Sequence, residues 1–178
     1  PKNLRIIGKE AFSYCSALHV VEFAEGLLVI ENDAFSGCRS LSALCFPESL
    51  VKIGEHAFDG CEGLGSLHFG EGLSEIGCRA FFSCRVLSEV RLPQTLENLG
   101  DWAFSGCSAL KAVTLPENLF RLGDGVFEQC SMLREIRLPR KLKELGKWVF
   151  SSCKTIAKIE WPEALETISD GVFQQCAG

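Results

Sequence analysis

The chain repeats every 23 residues without an insertion or deletion, placing phenylalanine at Phe12, Phe35, Phe58, Phe81, Phe104, Phe127, Phe150 and Phe173. Cysteine keeps the same step three residues later, at Cys15, Cys38, Cys61, Cys84, Cys107, Cys130, Cys153 and Cys176. A fixed period of about 20 to 50 residues marks a solenoid, in which each unit buries its apolar side against its neighbours alone. Such an array offers no deep cleft, and the chain carries no G-x-S-x-G, P-loop or H-E-x-x-H motif, so an enzyme is not expected. No cofactor is expected either.

One repeat, residues 93–115, shows how a coil is built. Leu110, Val113 and Leu115 end it with the inward–outward alternation of a short strand. Proline then follows, and its fixed φ and missing N–H end the ladder and turn the chain. Leu96 and Leu99 predict a second short extended piece. Gly100 stands at a position held by glycine in six of eight copies, which predicts a left-handed residue or a close approach of coils. Asp101, Asp124, Asp170 and Asn32 follow the glycine position and are placed to cap a helical turn. Residues 102–107 would be that turn, burying Ala103, Phe104 and Cys107. Successive strands must run parallel, and chirality favours a right-handed crossover.

Equally spaced cysteines stack as a ladder. Their Cβ atoms would stand about 4.8 Å apart, beyond disulfide reach, so buried free thiols are expected. Cys78 replaces the capping Asp or Asn and is expected to be exposed. The formal charge of −5 gives no reason to expect nucleic acid. Residues 139–161 reverse that sign, with Arg140, Lys141, Lys143, Lys147, Lys154 and Lys158 against Glu144 and Glu160. No apolar run approaches the roughly 18 residues of a membrane span, so no membrane insertion is expected.

The pattern L-x-x-I-G-x-x-A-F-x-x-C-x-x-L-x-x-V-x-L-P, read from Leu50 and again from Leu142, resembles the BspA-like, or Treponema-type, leucine-rich repeat. The resemblance covers the whole chain. Val126, Val149 and Val172 depart from its alanine, Glu31 and Ser169 from its glycine, and Ala24 and Gly70 from its proline. It implies a right-handed leucine-rich-repeat coil with a parallel β-sheet on one face and short helical turns on the other. It also implies adhesion or protein binding, and a cell-surface or secreted location; an intracellular or organellar complex is the alternative. Residues 1–178 form a single solenoid of seven full repeats and a partial one. Because Pro1 falls at the phase of Pro47, the chain reads as a piece of a longer array.

Function must sit where the repeat does not dictate the residue. The outward strand position carries Glu22, Cys45, His68, Arg91, Thr114, Arg137 and Glu160. These form one row down the concave sheet, and leucine-rich repeats typically bind partners there, so this row is the leading candidate site. Glu22, Cys45 and His68 are types that ligate zinc, but nothing supplies a fourth ligand and no metal site is assigned. A second candidate is a flank of aliphatic residues, Ile6, Leu28, Val29 and Val51, where later coils are polar. Trp102 and Trp148, two coils apart, would anchor a partner or lie flat over the groove between coils. The leading function is a protein-binding or adhesion module. The rival is a scaffold subunit held in a larger complex, with the ends stacking on further repeats or another subunit.

Overall fold

A computed structural model describes residues 1–176. Among these residues fourteen short strands, β1 to β14, lie on two faces of one solenoid and alternate between them from β2 onward. Three-residue strands form the first face: β3 (Ala43–Cys45), β5 (Ser66–His68), β7 (Glu89–Arg91), β9 (Ala112–Thr114), β11 (Glu135–Arg137) and β13 (Lys158–Glu160). Two-residue strands form the second: β1 (Ile6–Ile7), β2 (Val29–Ile30), β4 (Lys52–Ile53), β6 (Glu75–Ile76), β8 (Asn98–Leu99), β10 (Arg121–Leu122), β12 (Glu144–Leu145) and β14 (Thr167–Ile168). All pairings are parallel and shift by one repeat, as in Val90↔Val113 and Ile30↔Ile53. The turns at Pro47, Pro93 and Pro139 accept the N–H of the leucine three residues on, at 3.0–3.1 Å.

The phenylalanines form a continuous stack inside the coils. Neighbouring rings from Phe12 to Phe104 lie 5.0–5.3 Å apart and within 8° of parallel. A second stack, Phe23–Phe46–Phe69, meets the first edge-on before leucine takes its place at Leu92. Cys38, Cys61, Cys84, Cys107, Cys130 and Cys153 are buried and unbridged. Each thiol donates to the carbonyl of the phenylalanine 26 residues earlier, as Cys84 Sγ does to Phe58 O at 3.5 Å. Cys thus serves as a small apolar residue with one weak donor, which that carbonyl satisfies. Cys15, on the first coil, is exposed, and Cys176, on the last described coil, is half-buried.

The expected helical turn is absent among the described residues. Residues 102–107 form turns in which alternate N–H groups face different partners. Ala103, Ser105 and Cys107 donate to carbonyls three residues back, at 3.1–3.3 Å. Trp102, Phe104 and Gly106 donate instead to Asp124, Val126 and Glu128 on the next coil, at 2.8–3.0 Å. A helix would need all six bonds within its own chain segment. Left-handed residues enforce the alternation: φ is +55° at Trp102 and +75° at Gly106. Every positive-φ residue other than Gly26 falls at one of these two positions in its coil.

Two further expectations change. The Asp and Asn side chains do not cap their own turn; Asn32 Oδ1 accepts from Glu55 N at 3.0 Å and Asp124 Oδ1 from Lys147 N at 2.9 Å, one coil ahead. Of the two readings of the preceding glycines, close approach holds: a Cβ on Gly77 would stand 2.6 Å from Glu55 N. Cys78 is half-buried rather than exposed.

One junction between coils differs from the rest. Between the coil of Phe104 and that of Phe127, neither β8 and β10 nor β9 and β11 pair. The Phe104–Phe127 rings are also the farthest apart in the stack, at 6.1 Å. The turn edge, by contrast, stays fully bonded across this seam.

Candidate binding face

On the first face each strand turns its central residue inward, buried in β3, β7, β9 and β11 and half-buried in β5 and β13, and presents the two flanking ones outward, because side chains alternate along a strand. Glu22, Cys45, His68, Arg91, Thr114, Arg137 and Glu160 are all exposed. Cys45 lies in register with His68, Arg91 with Thr114 and Arg137 with Glu160. Glu22 belongs to the same row but precedes the first three-residue strand. Beside this row runs a second, Ala43, Ser66, Glu89, Ala112, Glu135 and Lys158, also exposed.

The chemistry of the face is mixed. Arg137 reaches Glu117 at 3.7 Å, and Lys158 donates to Glu160 at 2.8 Å. That hydrogen bond holds the Glu160 carboxyl below its ordinary value and the Lys158 ammonium above its own. Arg91 has no ion pair among the described residues. Ala112 and Thr114 are small, so the strand between the two arginines lies low, and a shallow depression opens over Ala112 between Glu135 and Arg137. Glu22, Cys45 and His68 line one shallow depression, but among the described residues no three metal-ligating side chains are placed to hold an ion.

The flank residues lie on the second face. Ile6, Leu28 and Val51 are exposed on three adjacent coils, whereas Val29 is half-buried. Phe120, at the same repeat position as Leu28 and Val51, is 59% exposed. Sequence reasoning missed it by treating the later coils as uniformly polar, although its phase was readable.

The outer turns hold the tryptophans. Each ring lies over a glycine at the same position in the next coil: Trp102 over Gly125 and Trp148 over Gly171. Trp102 Nε1 donates to Glu128 Oε2 at 3.0 Å, and the Arg79 guanidinium lies 5.6 Å from its ring centre. Of the two expected arrangements, the structure adopts the ring lying across the groove between coils.

Comparison with known proteins agrees with this architecture. The BspA type leucine-rich repeat region matches residues 1–86 and 52–178, in six copies. A leucine-rich repeat protein of Bacteroides ovatus is 32% identical with a TM-score of 0.87, covering 90% of this chain and 42% of that one. A leucine-rich repeat protein of T. pallidum, also 32% identical, gives 0.80 and covers 86% of this chain and 72% of that one. A leucine-rich cell surface protein of Faecalibacterium prausnitzii is 25% identical, with a TM-score of 0.71 over 87% of this chain and 42% of its own. The chain therefore spans less than half the length of the Bacteroides ovatus protein. None of the curated proteins compared with it matches. No helix among the described residues is long and apolar enough to cross a membrane. Repeat period, parallel strands and profile coincide, and the chain belongs to the BspA-type leucine-rich repeat family.

Proposed function

We propose that the chain is a non-enzymatic module that binds another protein across its three-residue-strand face. The observation that carries this reading is the uncovered double row of exposed side chains from Cys45 to Glu160, held on paired strands. Strand-borne side chains start from backbones that the scaffold already fixes, so binding costs side-chain freedom and no backbone ordering. Glu89, Arg91, Glu135 and Arg137 make the face polar and mixed in sign, which suits a salt-sensitive protein interface. The cell-surface relative supports an adhesive role at a surface.

A second reading, a scaffold subunit, is favoured by the contiguous exposed Ile6, Leu28 and Val51. The two separate by mutation. A partner captured with the intact protein should be lost on Arg91→Glu with Arg137→Glu and kept on Leu28→Asp with Val51→Asp. The reverse result would remove the strand face from consideration and put the flank in its place.

A further inference from the structure

We propose that the outer turns between Trp102 and Trp148 form a binding site for a neutral, linear saccharide. This site is separate from the strand face and does not depend on it. A trough there is lined by Trp102, Glu128, Gln129, Trp148, Ser152 and Gln175, among others. Gly125, between the two tryptophans, is buried beneath the Trp102 ring, which forms one wall of the trough. The two tryptophans occupy the same position in their coils, so they stand two rungs, about 9.6 Å, apart along the solenoid axis.

The lining specifies the ligand class. A pyranose offers an apolar C–H face and a rim of hydroxyls. Indole faces take the first by burial and dispersion. Amide, hydroxyl and carboxylate groups take the second, because each hydroxyl both donates and accepts. Gln129, Gln175, Ser152 and Glu128 provide that mixture within the trough. In a linear β-1,4-linked glycan alternate residues present the same face, so two rings spaced two rungs apart meet every second sugar.

A peptide fits less well. Strand addition needs free main-chain donors, but Gly125 N and Gln129 N already donate to Lys147 O and Ser151 O on the next coil, at 2.8 Å each. An anionic ligand would meet Glu128 in the trough; the nearest cations, Arg79 and Lys147, lie over the Trp102 and Trp148 rings at 5.6 and 5.9 Å and not in its lining. The rings are partly accessible: Trp148 is 37% exposed and Trp102 is half-buried, and a ligand would displace the flexible Lys147 and Arg79 side chains that lie over them.

The test uses Trp161→Phe protein, in which Trp102 and Trp148 are the only indoles. Cellohexaose, chitohexaose, laminarihexaose and mannohexaose are titrated while indole emission is followed, with affinity electrophoresis in gels of the matching polysaccharides. At least one glycan should shift the emission saturably. Trp148→Ala should weaken it roughly thirtyfold, the scale of losing an aromatic anchor. Gln129→Ala with Ser152→Ala should weaken it too, with both rings in place and the circular dichroism unchanged. Arg91→Glu with Arg137→Glu should leave it unaltered. Failure of all four glycans to bind would overturn the proposal, as would undiminished binding by either the Trp148→Ala or the Gln129→Ala/Ser152→Ala protein.

Discussion

Trp102 covers Gly125, the residue at its own position on the following coil, and does so across the one junction where neither strand face is paired. A Cβ on Gly125 would run into the indole. The backbone there has φ +59°, a conformation that six non-glycine residues adopt at the same position elsewhere in the chain. The turn alone tolerates side chains, so what sets this glycine apart from its counterparts is the ring above it.

That distinction gives the first prediction. Gly125→Ala should destabilise by about 2–3 kcal/mol, combining the left-handed conformation of an alanine with displacement of the ring. In a Trp102→Ala background the same substitution should cost only about 1–2 kcal/mol, the conformational part alone. A double-mutant cycle by urea titration measures the difference. Equal costs in the two backgrounds would show that the ring does not press on this position.

Core truncation should depend on place in the stack. Phe104 is fully buried between two phenylalanine rings, whereas Phe173, on the last described coil, is only half-buried. Phe104→Ala should cost about 3–5 kcal/mol, from lost transfer and an unfilled cavity. Phe173→Ala should cost clearly less. Equal losses in denaturant titration would contradict a stack held by nearest-neighbour contacts.

Burial pushes the Cys61, Cys107 and Cys153 thiols up to about 12 and those of Cys84 and Cys130 well above their ordinary 9.0. An unfolded chain releases these protons once the pH passes about 8.5, while the folded chain retains them. The stabilisation is therefore complete below that pH and declines as pH rises toward the folded value. Each thiol should contribute on the order of 1 kcal/mol of loss per pH unit in that window. Urea midpoints measured between about pH 8 and pH 10 should fall steeply, and Cys107→Ala should make the fall shallower by one proton. A flat profile would mean that the buried thiols ionise freely. At neutral pH iodoacetamide should reach the exposed Cys15 and Cys45 first, the buried six only after unfolding.

The fold was legible because one period governs both Phe104 and Cys107: residues that recur at a fixed step must stack, whatever the intervening chain does. The strand rows were legible because Val113 alternates with Thr114. The turns were not. Nothing in the identity of Trp102 or Gln129 announces a left-handed backbone, and the bonds that impose it come from the next coil. A long-range signal was present all the same, since glycine follows both Trp102 and Trp148 at a distance of one repeat. The candidate site was legible as a location only. Arg91 and Arg137 face solvent, so packing places no demand on their identity, and the chemistry of a partner leaves no trace in the period.

The unpaired seam yields the last prediction. Across it Asp101 Oδ1 accepts from Asp124 N at 2.9 Å, and Trp102 Nε1 donates to Glu128 Oε2 at 3.0 Å. The main-chain bonds of the turn edge add to these, whereas the strands of both faces are unpaired there, and at the proline turn Glu117 N donates to Gln94 Oε1 at 3.3 Å. Asp124 makes the same bond to Lys147 N at 2.9 Å, but there β10 pairs with β12 and β11 with β13. Removing a half-buried acceptor of this kind costs about 1 kcal/mol. In a quasi-linear stack, the loss matters most at the weakest interface. Asp101→Ala should thus speed hydrogen exchange at the amides of Trp102, Phe104 and Gly106, the turn-edge donors to the next coil. Asp124→Ala should leave exchange at the following junction, Gly125, Phe127 and Gln129, much closer to that of the unmodified chain. Equal acceleration at the two junctions would show that strand pairing adds nothing to the hold between coils, and that the seam is no weaker than its neighbours.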